Sequence, residues 1–354
     1  MAKLLHTGQV MVDLVMSLDQ LPVSGGDTLA NAASFEAGAG FNVMAAARRN
    51  GLPVVYLGRH GNGRFGEIAR QAMAAEGSRS PLSAMARRTP ALRVADRSQY
   101  RAHLYLLYRC GGRYLGARAG AGLVQADDYV YVSGYSLQYP DKAPALLEWV
   151  LALPKAVTVV FDPGPLINSP DAAAMAALLP RIDIWTSNSV ESLRFTGAQD
   201  IAGALDSLTE RLATGALLVV RDGPNGCWVS RAGEHRHVPG FQVRAVDSNG
   251  AGDAHSGVFL AGLAAGLDAA LAARRANAAA ALAVTRWGRR LRRGRKKWMQ
   301  CWLKAESGSC RSKLARDPPA GGDFGGAPWI AIAGKPAPTG MECASEAVRK
   351  SGDR

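Results

Sequence analysis

The alternation of short apolar runs with helical segments is the feature that most limits the folds open to this chain. Runs such as YVYVSG (129–134), AVTVVFD (156–162) and ALLVVRDG (216–223) are separated by segments with helical spacing, such as 141–153 and 201–213. Strands that alternate with helices predict a parallel sheet that is covered on both faces. Ligands bind such sheets at the carboxyl ends of the strands, so polar residues there are the first candidates for a site.

The rest of the chain follows the same alternation, apart from two segments considered below. Glycine and proline punctuate the pattern and place the ends of most elements. The further predicted elements are a first strand within 3–18, helices at 41–50, 64–77, 189–195 and 268–285, strands at 53–58 and 182–188, a helix starting near Ala251, and a hairpin formed by CWVSR (227–231) and HRHVPG (235–240).

Composition and cysteine spacing exclude several classes of protein. With 48% hydrophobic residues, the chain is not mainly disordered. It has no stretch of about 18 uncharged apolar residues, so we expect no membrane span. Its 5 cysteines include no C-x-x-C pair, which argues against a zinc site and favours a reducing compartment, so we expect the cytoplasm.

The positive charge is confined to two segments. The net charge is +13, but residues 79–118 contain nine Arg and one acid, and residues 286–316 contain twelve Lys or Arg and one acid. The rest of the chain carries 21 basic and 27 acidic residues. Basic runs of this kind are usually solvated, which argues against specific nucleic-acid binding. A protein that grips nucleic acid through RRLRRGRKKW (289–298) and nearby tryptophans is the alternative of another class.

The same two segments break the strand–helix pattern. Residues 78–118 show no clean period, and the pattern then resumes at LVQADDYVYVSG (123–134). Two abrupt losses of pattern that both gain Arg are typical of shifted reading frames in a GC-rich gene, and genuine insertions are the alternative. Translating the other frames of the coding DNA would distinguish them. We predict one domain over 1–288 and a basic, poorly ordered tail over 289–354.

The string AVDSNGAGDAHSG (245–257) has the clearest chemistry. Its glycines precede an apolar helix, whose first N–H groups are unpaired and, with the helix dipole, form an anion site. The small residues Gly250, Ala251 and Gly252 would let a phosphate approach the main chain. Asp253 follows in the first turn, where a carboxylate can accept a proton from a substrate hydroxyl. A helix cap is the alternative for Asp253 alone.

This string and four others resemble the signatures of the ribokinase-like (PfkB) family of sugar and nucleoside kinases. DSNGAGD is similar to the second signature of that family. The resemblance implies a three-layer α/β/α sandwich with a small β-sheet lid, formed from about 10–36 and 85–118. The other strings, which keep the family's order and spacing across 1–77 and 119–287, are GAGFNVMAAARRNG (38–51), GNGRFG (61–66), NSVE (188–191) and RDGPNG (221–226).

The resemblance also implies roles for individual residues. Asp253 would be the catalytic base that deprotonates the acceptor hydroxyl. Glu191 would organise Mg²⁺ through water, because this ion keeps several waters and needs few protein carboxylates. The other implied residues are Gly250, Ala251 and Gly252 for an anion hole, Asp13, Gly38, Gly40 and Asn42 for acceptor binding, and Asn188, Arg221, Gly223, Gly226 and Asn277 for nucleotide binding.

Each implied role has a structural alternative. Asn188 with Glu191 three residues later is also a plain capping box. Asn42 is also suited to cap a helix, and Asp13 to form a turn at a strand end. Arg221 stands where the family often has Thr or Lys. A polar helix position is the alternative for Asn277. Asp162 ends a strand in FDPGP (161–165), near the expected substrate crevice, and a turn-initiating residue is the alternative there.

The reaction that the resemblance implies is transfer of the γ-phosphoryl group of ATP to the primary hydroxyl of a small sugar, with Mg²⁺. A nucleoside acceptor is the alternative within the family, because near-identical motifs serve both. An inactive kinase fold is a further alternative, since two segments depart from the family pattern. A homodimer formed through the lid also stays open. The chain has no Walker A string, so nucleotide binding would depend on the family architecture.

Overall fold

The computed structural model describes residues 1–20, 22–81, 92–95, 103–106, 123–140, 142–165 and 172–285. The predicted tail at 289–354 and most of the segment 85–118 lie outside these residues.

The described residues form twelve strands and eight helices, and they include a large and a small sheet. The strands are β1 (Leu4–His6), β2 (Val10–Ser17), β3 (Ala32–Ala39), β4 (Val54–Tyr56), β5 (Leu92–Ala95), β6 (His103–Leu106), β7 (Tyr129–Ser133), β8 (Thr158–Asp162), β9 (Ile184–Asn188), β10 (Leu217–Arg221), β11 (Gly226–Arg231) and β12 (Glu234–Pro239). The helices are α1 (Gly40–Arg49), α2 (Arg64–Ala75), α3 (Ala143–Leu151), α4 (Ala172–Leu178), α5 (Ser189–Thr196), α6 (Ile201–Arg211), α7 (Ala251–Ala264) and α8 (Ala269–Val284).

The large sheet has the strand order β12-β11-β10-β9-β8-β7-β1-β4. From β4 to β10 every neighbouring pair is parallel, and β11 and β12 continue the sheet as an antiparallel hairpin. The predicted parallel core and the predicted hairpin are both confirmed. Parallel strands need crossovers, and the helices between them supply these connections.

Helices cover both faces of the large sheet, because successive side chains of a strand point to opposite faces. In β10, Val219 belongs to an apolar cluster with residues of α1, α7 and α8. Its neighbours Leu218 and Val220 belong to a second cluster with residues of α3, α4 and α6. The expected three-layer α/β/α sandwich is therefore confirmed.

The small sheet has the order β3-β2-β5-β6, in which β2 pairs antiparallel with β3 and parallel with β5. Its strands fall within the regions expected for a lid, and the function of this sheet as a lid stays a prediction. The sequence shows no clean period over 78–118, although the lid was expected to include 85–118. Four-residue strands such as β5 and β6 are too short to show one, and their pairing is non-local.

The prediction of one strand within 3–18 is wrong. The chain forms β1 in the large sheet, turns at Gly8, and enters the small sheet at Val10. A Cβ at Gly8 would lie 3.3 Å from Nδ1 of His6, and the Gly8 N–H donates to that same nitrogen at 3.1 Å. The turn therefore depends on a close approach to His6 that apolar alternation does not reveal.

Helices α1 and α7 cross closely at Gly257, where a Cβ would collide with the Val43 carbonyl oxygen and lie 2.9 Å from the Ala47 nitrogen.

None of the helices within the described ranges is both long and apolar enough to cross a membrane.

Candidate active site

Polar residues end three neighbouring parallel strands at one edge of the large sheet. Asp162 ends β8, Asn188 ends β9 and Arg221 ends β10. Arg221 and Asn188 are direct Cα partners across the strands. Because the strands are parallel, their carboxyl ends meet at this edge, which is the expected location of a ligand site.

The amino terminus of α7 is left open at this edge. Gly250 precedes the helix with φ +76°, a left-handed conformation that favours glycine. No side chain of the described residues caps α7, whereas Asn188, Asp200 and Asp268 cap α5, α6 and α8. The first turn of α7, with Ala251 and Gly252, is therefore suited to bind an anion, as expected for Gly250, Ala251 and Gly252.

Asp253, in the same turn, contacts a residue that is 211 positions away in the chain. Its Oδ2 accepts a hydrogen bond from Nδ2 of Asn42 at 3.0 Å. The close crossing of α1 and α7 at Gly257 brings the two side chains together. Asn42 is buried, and its Oδ1 has no hydrogen-bond partner among the described residues. A buried acceptor without a partner is costly, so this oxygen is suited to receive a ligand hydroxyl.

The glycine turn before α1 lies against a buried histidine. A Cβ at Gly40 would lie 2.8 Å from both Nε2 of His6 and the Gln9 carbonyl oxygen, so the turn needs glycine. The His6 ring is stacked on Tyr131, with centroids 4.9 Å apart. Burial, and then the charge of Lys142, lower the pKa of His6 to about 3, so the ring is neutral at pH 7.

Asp13 and Gly38 lie on adjacent strands of the small sheet. Asp13 is fully buried, and its Cα partners are Glu36 in β3 and Arg93 in β5. Gly38 pairs with Met11, two residues before Asp13 and on the same face of the sheet. The structure thus groups these two predicted acceptor-binding residues, and their contact with an acceptor stays a prediction.

Arg221 is the cation at the centre of the site. Its Nη1 donates to Oγ1 of Thr186 at 2.7 Å and to Oγ of Ser256 at 2.9 Å. Its Nη2 lies 3.7 Å from Oδ2 of Asp162 and 3.9 Å from Oε2 of Glu191. Burial opposes the charged form, but the carboxylates outweigh it and the pKa of Arg221 is raised.

The two carboxylates near Arg221, Glu191 and Asp162, have different neighbours. Burial, and then the nearby Asp162 charge, raise the pKa of Glu191 to about 7, although Arg221 opposes the shift. Asp162 accepts a hydrogen bond from the Tyr131 hydroxyl at 2.9 Å. Burial and the charges of Asp162 and Asp253 raise the pKa of Tyr131 well above its usual value, so this hydroxyl stays a donor.

Asn188 and Glu191 form the capping box that the sequence offered as an alternative. Asn188 Oδ1 accepts from the Glu191 N–H at 2.8 Å, and Glu191 Oε2 accepts from the Asn188 N–H at 2.8 Å. The same Glu191 carboxylate faces Arg221, so the cap also orients it toward the site. In the part of the chain that is described, no group of three or more His, Cys, Asp or Glu side chains is arranged to hold a metal ion.

The glycines of the predicted nucleotide loop are required by the backbone. Gly223 has φ +55° and Gly226 has φ +107°. A Cβ at Gly226 would lie 2.6 Å from the carbonyl carbon of Pro239, so glycine allows β11 to start beside the end of β12. Contact of Gly223 and Gly226 with a nucleotide stays a prediction.

Asn277 lies inside the molecule and joins α8 to its neighbours. Its Nδ2 donates to the carbonyl oxygens of Val238 and Pro239 at 3.0 and 3.1 Å, and its Oδ1 lies 3.1 Å from Nε2 of His255. Burial, and then the charge of Arg221, lower the pKa of His255 to about 3. The Asn277 amide is engaged by protein partners, and its contact with adenine stays a prediction.

Sequence reasoning does not find the two hydroxyls that hold Arg221, although a signal exists for each. Ser256 lies three residues after Asp253, which places both on one side of α7. Thr186 lies two residues before Asn188, which places both on one face of β9. Both hydroxyls are buried and lie 3.2 Å apart.

Comparison with known proteins links this site to one family. The model of the pfkB family carbohydrate kinases matches residues 1–292. The uncharacterized sugar kinase YegV of Escherichia coli (strain K12) is 30% identical over 285 residues, covering 78% of this chain and 87% of that protein. The ATP-dependent ribose-1-phosphate kinase of Halopiger xanaduensis is 27% identical, covering 82% and 94%. A fructokinase of Vibrio cholerae O395, solved with fructose, ADP and calcium, superposes with a TM-score of 0.68 at 23% identity, covering 82% and 94%.

Proposed function

This chain belongs to the pfkB family of carbohydrate kinases and is a sugar kinase, and from that premise we propose that it transfers the γ-phosphoryl group of ATP to a primary hydroxyl of a small sugar. The observation that carries the proposal is the position of Asp253, in the first turn of the uncapped helix α7 and hydrogen-bonded to Asn42. A base and an anion site thus share one helical turn.

On the acceptor, Asp253 acts as the general base. The acceptor O–H gives its proton to the Asp253 carboxylate while its oxygen forms a bond to the terminal phosphorus of ATP. The bond between that phosphorus and the bridging oxygen breaks, and its electron pair stays on the ADP oxygen. Asn42 orients the base through Nδ2, and its Oδ1, which no described residue bonds, is offered to an acceptor hydroxyl.

At the transferred group, the N–H groups of the first turn of α7 oppose the negative charge. Gly250, Ala251 and Gly252 have no side chain beyond a methyl group, so phosphate oxygens can approach the main chain. These dipoles are already oriented in the folded protein, so they stabilise the transition state without rearrangement.

A magnesium ion fits the donor set of the site. Glu191 Oε2 accepts the hydrogen bond of the capping box and lies 3.9 Å from Nη2 of Arg221. Carboxylate oxygens and water are the ligands that Mg²⁺ prefers. When bound, Mg²⁺ would neutralise charge on the nucleotide phosphates. Glu191 would hold it through water, and Asn188 would fix the orientation of Glu191.

The acceptor class is a small polyhydroxylated molecule. Asp13 and Asn42 provide buried oxygen atoms near the turn that contains Gly38 and Gly40, and such groups recognise hydroxyls. One relative is a ribose-1-phosphate kinase and one solved neighbour holds fructose, which supports a small sugar. A nucleoside is the second candidate acceptor, since it presents the same primary hydroxyl.

We test the proposal with the purified full chain, ATP and Mg²⁺ against ribose, fructose, ribose 1-phosphate, adenosine and inosine. The expected result is acceptor-dependent ADP release with one of these compounds, and ³¹P NMR should place the phosphate on a primary hydroxyl. The matched control is Asp253→Asn, which should lose the acceptor-dependent rate. Failure of every acceptor, or full activity of Asp253→Asn, would overturn the proposal.

We also propose where the protein acts and which partners it has. The charge pattern of the sequence argues against specific nucleic-acid binding. The cysteine spacing favours a reducing compartment, so we propose a cytoplasmic enzyme. Dimerisation through the small sheet remains a hypothesis, and size-exclusion chromatography with light scattering would test it.

A further inference from the structure

We propose that Arg221 donates directly to the terminal, transferred phosphoryl group of the nucleotide and supplies part of the positive charge that opposes it. This inference rests on the proposed function and deepens it, because it assigns one cation of the chain to one phosphate. It is carried by how the guanidinium is held, by which of its donors are uncommitted, and by where it lies relative to Asp253.

Among the described residues, hydrogen bonds hold the guanidinium at one nitrogen, Nη1. Nη1 donates to the hydroxyls of Thr186 and Ser256, which are themselves buried. These hydroxyls belong to β9 and α7, so the group is anchored to the sheet and to the helix that contains Asp253. An arginine pinned in this way loses little freedom on binding a ligand, because its planar fork is already oriented.

The remaining donors of the guanidinium are Nε and Nη2. Nε and Nη2 of Arg221 make no hydrogen bond to the residues that the structure describes, since Asp162 and Glu191 stay 3.7 and 3.9 Å from Nη2. These two nitrogens form the edge of the guanidinium that binds phosphate through two parallel N–H···O bonds. The side chain is 13% exposed, so this edge can be reached from the site.

The guanidinium lies beside the turn where phosphoryl transfer would take place. A Cβ at Gly252 would lie 3.5 Å from Nε and 3.6 Å from both Cζ and Nη2 of Arg221. These nearly equal distances place Gly252 over the flat face of the guanidinium. Gly252 precedes Asp253, whose carboxylate marks the acceptor oxygen, and the transferred phosphorus must come within bonding distance of that oxygen.

The two neighbouring carboxylates explain how the protein can bury a charged arginine when no nucleotide phosphate is bound. Asp162 and Glu191 balance the buried cation at a distance longer than a hydrogen bond. They therefore supply Coulomb stabilisation and leave the N–H groups available. A phosphate that accepts from Nε and Nη2 would satisfy donors that have no hydrogen-bond partner in the described part of the chain, which favours binding of the terminal phosphate.

The test compares the affinities of the full chain for ADP and for the β,γ-imido analogue of ATP, both with Mg²⁺, by isothermal titration calorimetry. Arg221→Lys keeps the charge but removes the two-donor edge, and Arg221→Gln removes both. Loss of charged hydrogen bonds should weaken the imido analogue by roughly tenfold or more, while ADP should change by less than about threefold. The matched control is Arg231→Lys, at an exposed hairpin position, which should change neither affinity.

The outcomes separate this inference from the proposed function. If the wild-type chain binds neither nucleotide, the proposed function fails. If it binds both and Arg221→Lys weakens both equally or neither, the assignment of Arg221 to the terminal phosphate is overturned. A purely structural role would lower the melting temperature without changing the ratio of the two affinities, so thermal melts of each variant are recorded. If Arg221→Gln does not fold, Arg221→Lys decides alone.

Discussion

The acceptor side of the site, Asn42 and Asp253 on helices α1 and α7, and the phosphate side, Arg221 with Asp162 and Glu191, are built by different means. On the acceptor side one direct hydrogen bond of 3.0 Å joins two helices that cross closely. On the phosphate side a cation lies 3.7 and 3.9 Å from two carboxylates. A shift of about 1 Å is enough to break a hydrogen bond, whereas the Coulomb interaction between charges weakens only gradually with distance. The two sides should therefore respond to different substitutions.

The largest effect is expected from Asp253→Asn, on the acceptor side. The amide cannot accept the proton, so kcat should fall by about 10²–10⁴ while nucleotide affinity changes little. Steady-state kinetics and calorimetry measure the two quantities. The control is Asp268→Asn, which changes the capping residue of α8 and should keep normal kcat. A variant Asp253→Asn that keeps more than half of its kcat would remove Asp253 from the role of base.

Gly257→Val should disrupt the contact between Asn42 and Asp253 by a steric clash, without changing either residue. The added side chain would collide with the Val43 carbonyl oxygen and separate α1 from α7. We expect the free energy of unfolding to fall by about 1–3 kcal/mol and kcat to fall by about tenfold or more, because Asn42 shifts from Asp253. Urea unfolding and kinetics measure these effects.

The matched control for that substitution is Gly203→Ala in α6. A Cβ there has only ordinary contacts at 3.4 Å or more, so the change should be neutral or stabilising. Unchanged kcat in Gly257→Val would mean that the close crossing does not position the base.

On the phosphate side, Glu191→Gln should change the metal requirement before anything else. The Mg²⁺ concentration for half-maximal rate should rise by several-fold, with the order of acceptors unchanged, because the carboxylate acts through the metal. The exposed Glu148→Gln serves as control. Altered acceptor preference with normal Mg²⁺ dependence would contradict the metal assignment.

The same variant has a pH signature in the absence of metal and nucleotide. The pKa of Glu191 is raised to about 7 in the folded protein, so the stability linked to its proton is complete below the unfolded value near 4.5 and is lost as pH rises through 7. Relative to Glu191→Gln, the wild-type free energy of unfolding should fall over this range by roughly 1–3 kcal/mol. A constant difference between the two proteins from pH 4.5 to 7 would show that Glu191 is not desolvated.

The smallest effect at neutral pH is expected from His255→Phe, which keeps the shape of the ring and removes its titration. The pKa of His255 is lowered to about 3, so its contribution to stability is present above the unfolded value of 6.5 and is lost as pH falls toward 3. The slope of unfolding free energy against pH should therefore become shallower by up to about 1.4 kcal/mol per unit. Equal slopes for His255→Phe and wild type would mean that His255 is protonated in the folded protein.

Local patterns determined the elements and most of the candidate residues. The strands β7 to β10 and the hairpin were predicted, and the capping box at Asn188 was offered as an alternative, because each depends on neighbours within a few residues. The turn before Asp253 was predicted for the same reason, since an anion site at a helix terminus uses the backbone of one segment. The family motifs then named Asn42 and Asp253 on the acceptor side and Arg221 and Glu191 on the phosphate side, whereas Asp162 was noted only from its place at a strand end.

Only the tertiary structure decided how those residues meet. Asn42 and Asp253 are 211 positions apart, and their contact arises where Gly257 lets two helices approach. Thr186, Ser256 and the open edge of Arg221 come together because parallel strands end at one edge. Apolar alternation is the same in both sheets, so it could not separate β1 from β2 within 3–18. Strand pairing, burial and charge balance depend on distant segments, and these are set by packing rather than by any local run of residues.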